Sequence, residues 1–190
     1  MKRLGFGFAF FVTFGISVFA QQGTPIIGYD RVPWGSTVQA VTQAYPGLQE
    51  VPSEEASVGV REFTQTNVGG GIASRKFYFY ENKLYRVFVG YDDVNADTVR
   101  AILDRLVSIY GRFNSSDGPT NSSQGGIMNS RTQFVRFFNE NMTIVVNVVD
   151  LYNQFNFHVG AGVGIVYYDE TIQDRIGAAL RQQRADRIQL

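Results

Sequence analysis

Ala73-Ser74-Arg75-Lys76-Phe77-Tyr78-Phe79-Tyr80-Glu81-Asn82-Lys83-Leu84-Tyr85-Arg86-Val87-Phe88-Val89-Gly90-Tyr91 is the stretch on which the fold turns. Two runs rich in aromatic and branched residues, Ala73 to Tyr80 and Leu84 to Tyr91, flank the polar Glu81-Asn82-Lys83. That is the signature of a β-hairpin. A three-residue loop pairs Tyr80 with Leu84, Phe79 with Tyr85, Phe77 with Val87 and Arg75 with Val89. One face then carries Phe77, Phe79, Tyr85, Val87 and Val89, and the other Lys76, Tyr78, Tyr80, Arg86 and Phe88. A two-residue loop would set Arg86 beside Phe77, so sidedness favours the three-residue register.

Working outward, Asp92-Asp93-Val94 turns the chain into a helix. Asn95 is its expected N-cap, Val99, Ile102, Leu103, Leu106, Val107 and Tyr110 its apolar face, and Gly111 its stop. Residues 114 to 130 are nearly all small and polar and read as a flexible loop. Thr132 to Phe138 and Met142 to Val149 form a second hairpin, with Met142, Ile144, Val146 and Val148 facing the core. Val159 to Tyr168 is a further strand, and Asp169 caps a C-terminal helix containing Ile172, Ile176, Ala179 and Leu180. On the N-terminal side, Ser36 is the expected cap of a short helix carrying Val38, Val41, Ala44 and Tyr45 and stopped by Pro46-Gly47. Val58 to Thr66 is a strand and residues 67 to 71 a glycine-rich turn.

This order predicts an α+β fold. It has one antiparallel sheet of about five to seven strands, with two or three helices packed on one face. A single domain spans residues 21 to 180, and a polar tail at 181 to 190 frays. The two halves share a loose pattern of strands followed by a helix, too faint to align as a repeat.

The N-terminus reads as an export signal. Met1-Lys2-Arg3 is positive, Leu4 to Phe19 is uncharged and strongly apolar, and Val18-Phe19-Ala20 offers small side chains to a signal peptidase. Cutting is expected between Ala20 and Gln21. The apolar run is shorter than the roughly 20 residues that span a bilayer. The expected location is therefore the periplasm or the exterior. Removal of the signal leaves about 170 residues, enough for one ordinary domain.

There is no cysteine, so neither a lipid-bearing cysteine nor a disulfide is available. The 17 basic and 17 acidic residues balance, with no long basic run, which disfavours nucleic acid as a partner. His158 is the only histidine. Thiol nucleophiles and clustered histidine or cysteine metal sites are thereby disfavoured. No Gly-x-Ser-x-Gly is present to supply a serine nucleophile, and no cofactor is expected. A lone histidine between Phe157 and Val159 reads as structural or surface.

Glu54-Glu55 and Asp92-Asp93 are acidic pairs, which read as solvated loops before they read as acid–base pairs. Gly160, Gly162 and Gly164 alternate, unlike a dinucleotide loop, and leave one strand face bare for a helix, a ring or a ligand to approach.

Val32-Pro33-Trp34-Gly35-Ser36-Thr37-Val38, running on to Val41 and Tyr45-Pro46-Gly47, resembles the start of many small bacterial envelope domains. In these a Trp-Gly-Ser/Thr turn opens a short helix. Phe77 to Val87 is similar to their aromatic hairpin, and the layout is comparable to the small lipoprotein of the outer-membrane barrel-assembly machinery. The resemblance covers roughly residues 28 to 111. It implies a helix-then-sheet domain without catalysis, and it carries no functional residue over. The lipid-bearing cysteine of that lipoprotein is absent here.

The leading expectation is an exported, non-catalytic protein that binds another envelope component through a sheet face or edge. Tyr78, Tyr80, Arg86 and Phe88 are the candidate contacts, since tyrosine, phenylalanine and arginine are favoured at contact centres. One alternative is a carrier of a small apolar ligand or lipid. Another is a hydrolase using Glu54, Glu55, Asp92 or Asp93.

Overall fold

The computed structural model describes residues 24–124, 128–155 and 157–188. Two antiparallel meanders make one eight-stranded sheet. The first comprises β3 (Gln49–Val51), β4 (Val60–Gly69), β5 (Ile72–Tyr80) and β6 (Lys83–Asp92). The second comprises β7 (Ser115–Gln124), β8 (Met128–Asn139), β9 (Met142–Asn153) and β10 (His158–Asp169). β10 pairs antiparallel with β6, giving the order β3-β4-β5-β6-β10-β9-β8-β7. A two-stranded hairpin, β1 (Gly28–Tyr29) and β2 (Val32–Pro33), precedes them. Each meander is preceded by a helix, α1 (Val38–Ala44) or α2 (Ala96–Tyr110). The last helix, α3 (Glu170–Ile188), follows β10 directly. The fold is α+β as expected, with more strands than the sequence indicated.

The first face of the sheet holds the main core. Phe77 and Phe79 of β5, Val87 and Val89 of β6, Ile165 of β10 and Ile144 and Val146 of β9 are all buried there. Side chains alternate along a strand, so these positions share a face once the registers are set. Leu106 is buried on α2, and Val99, Ile102 and Leu103 pack against the same cluster. The Asn95 side chain accepts from the Thr98 amide, and the Gly111 amide closes on Val107, bounding α2 as expected. α1 starts one residue late. The Ser36 hydroxyl donates instead to the Pro33 carbonyl at 2.7 Å, and Thr37 caps the Ala40 amide.

α3 departs from the expectation that all helices share a face. It lies on the second face, where Ile176 packs with Val60 and Tyr85. It also continues to Ile188 instead of fraying at Arg181. Gln183 holds it there, accepting from the Ser57 hydroxyl and donating to the Ser57 carbonyl, both at 2.9 Å.

The first hairpin corrects its expected register. Its loop has two residues, Glu81 and Asn82, both with positive φ, as a tight hairpin turn requires. Phe79 faces Leu84 and Tyr80 faces Lys83, whereas Phe77 still faces Val87. A bulge at Tyr85 absorbs the difference, so Leu84 joins the first-face core while Tyr85 joins Arg86 on the second.

Residues 114 to 130, expected as a loop, instead supply β7 and the start of β8. β7 is the outermost strand and is mostly exposed, so its ladder needs no apolar side chains.

The expected bare glycine face exists. Gly164 lies directly opposite Gly90, and the Phe88 ring fills the gap. A Cβ on Gly164 would stand 2.9 Å from Phe88 Cε2, whereas one on Gly160 would meet nothing within 4 Å. Gly164→Val should therefore cost about 1–3 kcal/mol in urea denaturation, and Gly160→Ala should leave the midpoint unchanged. Equal effects would contradict this packing.

The first-face core is also rich in phenols. Burial, the largest cause, pushes the Tyr29 hydroxyl up to about 12, and the same cause raises Tyr45 and Tyr167. Unfolded phenols ionise near pH ~10, so the unfolded chain releases these protons first. The stability they contribute is full below pH ~10 and is lost as pH climbs toward the folded values. Phenolate absorbance should rise in two stages, the second coinciding with loss of the circular dichroism signal. A single stage near the ordinary value would refute the burial of these rings.

Candidate functional site

The second face can be read in rows across the strands. One row runs Glu62, Tyr78, Arg86, Tyr168, Thr143, Phe138. The next runs Thr64, Lys76, Phe88, Val166, Val145, Arg136. A third runs Ser74, Gly90, Gly164, Asn147, Phe134. α3 and the single turn of 3-10 helix at Ala56–Val58 lie over the end that holds the first row. Phe88, Val166 and Val145 belong to neither buried cluster of the protein. The three are only half-buried, and they form an apolar band with Lys76 at one end and Arg136 at the other.

Three of the four expected contact residues are used within the chain. Arg86 grips Glu55 with both terminal nitrogens, at 2.6 and 3.2 Å, and one of these also donates to Gln173 of α3 at 3.0 Å. Its guanidinium lies 3.9 Å from the centre of the Tyr78 ring. The Tyr85 hydroxyl donates to the same Glu55 carboxylate at 3.1 Å. Tyr80 lies under Arg175 of α3, 5.4 Å away. These contacts fasten α3 and the Glu55 loop to the sheet. Phe88, the fourth residue, stays on the open band. Ala20 and Gln21, the expected cleavage point, lie outside the described residues.

A cleft of about 430 Å³ sits where the fastened end meets the band, between the Pro52–Glu55 loop and Phe88. Its charges are largely paired internally: Lys76 with Glu62 at 3.0 Å, Arg86 with Glu55. Beyond it, Asn147 Oδ1 is buried and has no hydrogen-bond partner among the described residues. An unpaired buried carbonyl costs about 1–3 kcal/mol. It stands in the third row between Gly164 and Phe134.

Sequence reading missed Val145, Asn147 and Val166. Their signal was present, because assigning Ile144, Val146 and Val148 to the core leaves the intervening residues on the opposite side. What could not be read was that this side remains uncovered, which depends on where α3 ends up.

The two sheet edges are poor docking sites. β3 has only three residues. β7 is interrupted by a register shift between Asp117 and Thr120, where Gly118-Pro119 falls. Short, bulged and proline-bearing edges resist strand addition.

The remaining candidate groups stay apart. His158 is exposed, 3.6 Å from Asp150 and edge-on to Tyr152. Asp93 sits at positive φ in the turn before α2. Among the described residues no three His, Asp or Glu side chains gather as a metal site.

Arg86→Met should destabilise the protein by about 2 kcal/mol, since it leaves Glu55 half-buried and short of its cation. Glu55→Gln/Arg86→Met together should cost less than the two single changes combined. Additive losses in urea denaturation would argue against the pair.

Comparison with family models, with curated proteins and with solved structures finds no match for this chain.

Proposed function

We propose that this is an exported, non-catalytic binding protein of the bacterial envelope, and that it takes a protein partner on the second face of its sheet. The observation that carries the reading is the half-covered face. α3 and the Glu55 loop close one end through Arg86, whereas Phe88, Val166 and Val145 form a continuous apolar band beside them. Aromatic and branched side chains flanked by cations suit the centre and rim of a protein contact. A face is preferred over an edge because both edges are blunted. Export rests on the apolar, cation-led N-terminus. Glu54, Glu55 and Glu62 line one cleft, but Glu55 and Glu62 are held by Arg86 and Lys76, and His158 lies beside Asp150 instead, an arrangement that favours binding over hydrolysis.

The test is capture of the tagged protein from gently crosslinked cells. A photo-crosslinking residue at Val145 should yield a discrete adduct, and the same residue at Val107 on α2 should not. Val145→Glu/Val166→Glu should abolish capture while leaving circular dichroism and the melting temperature within a few degrees of the parent. Undiminished capture by the double variant would overturn the assignment of the face.

A further inference from the structure

The first face holds a cation, Arg75, that rests on aromatic rings and has no carboxylate at ion-pair distance among the described residues. Arg75 faces Val89 across the β5–β6 ladder and Gln65 across the β4–β5 ladder, one position out from the Phe77 core. Its guanidinium lies 5.3 Å from the centre of the Tyr45 ring and 5.9 Å from that of Tyr29. Its Nε is closed off from solvent and has no hydrogen-bond partner among the described residues. Arg105, on α2, is exposed at the mouth of the same cleft. Among the described residues neither arginine has a carboxylate at ion-pair distance.

The cleft between them has a volume of about 530 Å³, within the range of small-molecule sites. The inner side of α2 gives it an aliphatic wall through Ile102, Leu106 and Ile109. Phenols of Tyr91, Tyr110 and Tyr167 line the remainder. Burial raises the Tyr91 hydroxyl, and the positive charges of Arg105 and Arg75 both pull it down, so this phenol lies in the field of both cations that line the cleft. Among the described residues Asp30 is the one carboxylate lining the cleft, and it already accepts from the Tyr45 hydroxyl at 3.0 Å. A partly buried guanidinium with no carboxylate at ion-pair distance among the described residues, backed by aromatic faces and joined by a second arginine at the mouth of the cleft, is a ready receiver for a planar or tetrahedral anion.

We propose that this cleft binds a small organic anion, its carboxylate or phosphate head held by Arg75 and Arg105 and its aliphatic body laid along α2. The site lies on the face opposite the proposed protein contact and stands or falls independently of it.

Titration calorimetry and melting curves of the purified protein with sodium octanoate, octyl phosphate and 1-octanol test this. At least one of the two anions should bind and raise the melting temperature, and 1-octanol should do neither. Binding of octanoate alone assigns a carboxylate ligand, and binding of octyl phosphate alone a phosphate ester. Arg105→Gln changes an exposed side chain, so folding is retained, and it should weaken the anion about tenfold. Arg75→Gln should abolish binding. Three outcomes would overturn the proposal: no binding by either anion, equal binding of 1-octanol, or undiminished affinity in Arg105→Gln.

Discussion

The pairing of β6 with β10 is the contact on which the rest of the molecule depends. Seven residue pairs, from Gly162 with Asp92 to Tyr168 with Arg86, are the only sheet hydrogen bonding between the two meanders among the described residues. At its middle two glycines face each other, Gly90 and Gly164, and the Phe88 ring occupies the space their side chains would take. The seam is therefore thin on the second face and thick on the first, where Val89 and Ile165 stand opposite each other in the core. Both meanders contribute to one hydrophobic cluster because this ladder fixes their side-chain parity together.

The bulge at Tyr85 sets the character of the second face. Without the extra residue, Tyr85 and Arg86 would point to opposite sides. With it, both reach the Glu55 carboxylate, and Arg86 also reaches Gln173 of α3. One local irregularity thus supplies the anchor for a helix whose own apolar content is small, with Ile172, Ile176 and Leu180 against the sheet. α3 is held to one end of the face by this cluster, and the band beyond it is left open.

The parts of the fold legible in the sequence were those with strong side-chain patterns. The aromatic hairpin, α2 with its Asn95 and Gly111 boundaries, and the valine-rich β9 could all be read, because burial selects those residue types at those spacings. β7 was not legible. An edge strand with two exposed sides is selected for backbone pairing alone, and Ser115 to Gln124 looks like any polar loop. The hairpin register was half legible: sidedness correctly separated Phe77 from Arg86, but a two-residue turn plus a bulge satisfies that constraint as well as a three-residue loop. Of the candidate contacts, Phe88 remains on the open band, while Tyr78, Tyr80 and Arg86 serve internal fastening. Val145, Val166 and Arg75 acquire their importance from neighbours far away in the chain, which no local pattern reports.

The blunted edges have a consequence for stoichiometry. A sheet with a free, regular edge can add strands without limit, so association through it is open-ended and grows with concentration. Here the three-residue β3 and the Gly118-Pro119 interruption of β7 deny that route. A face of fixed width is filled once. A partner that filled such a face would bind at a defined ratio, whereas growth strand by strand is disfavoured by these edges.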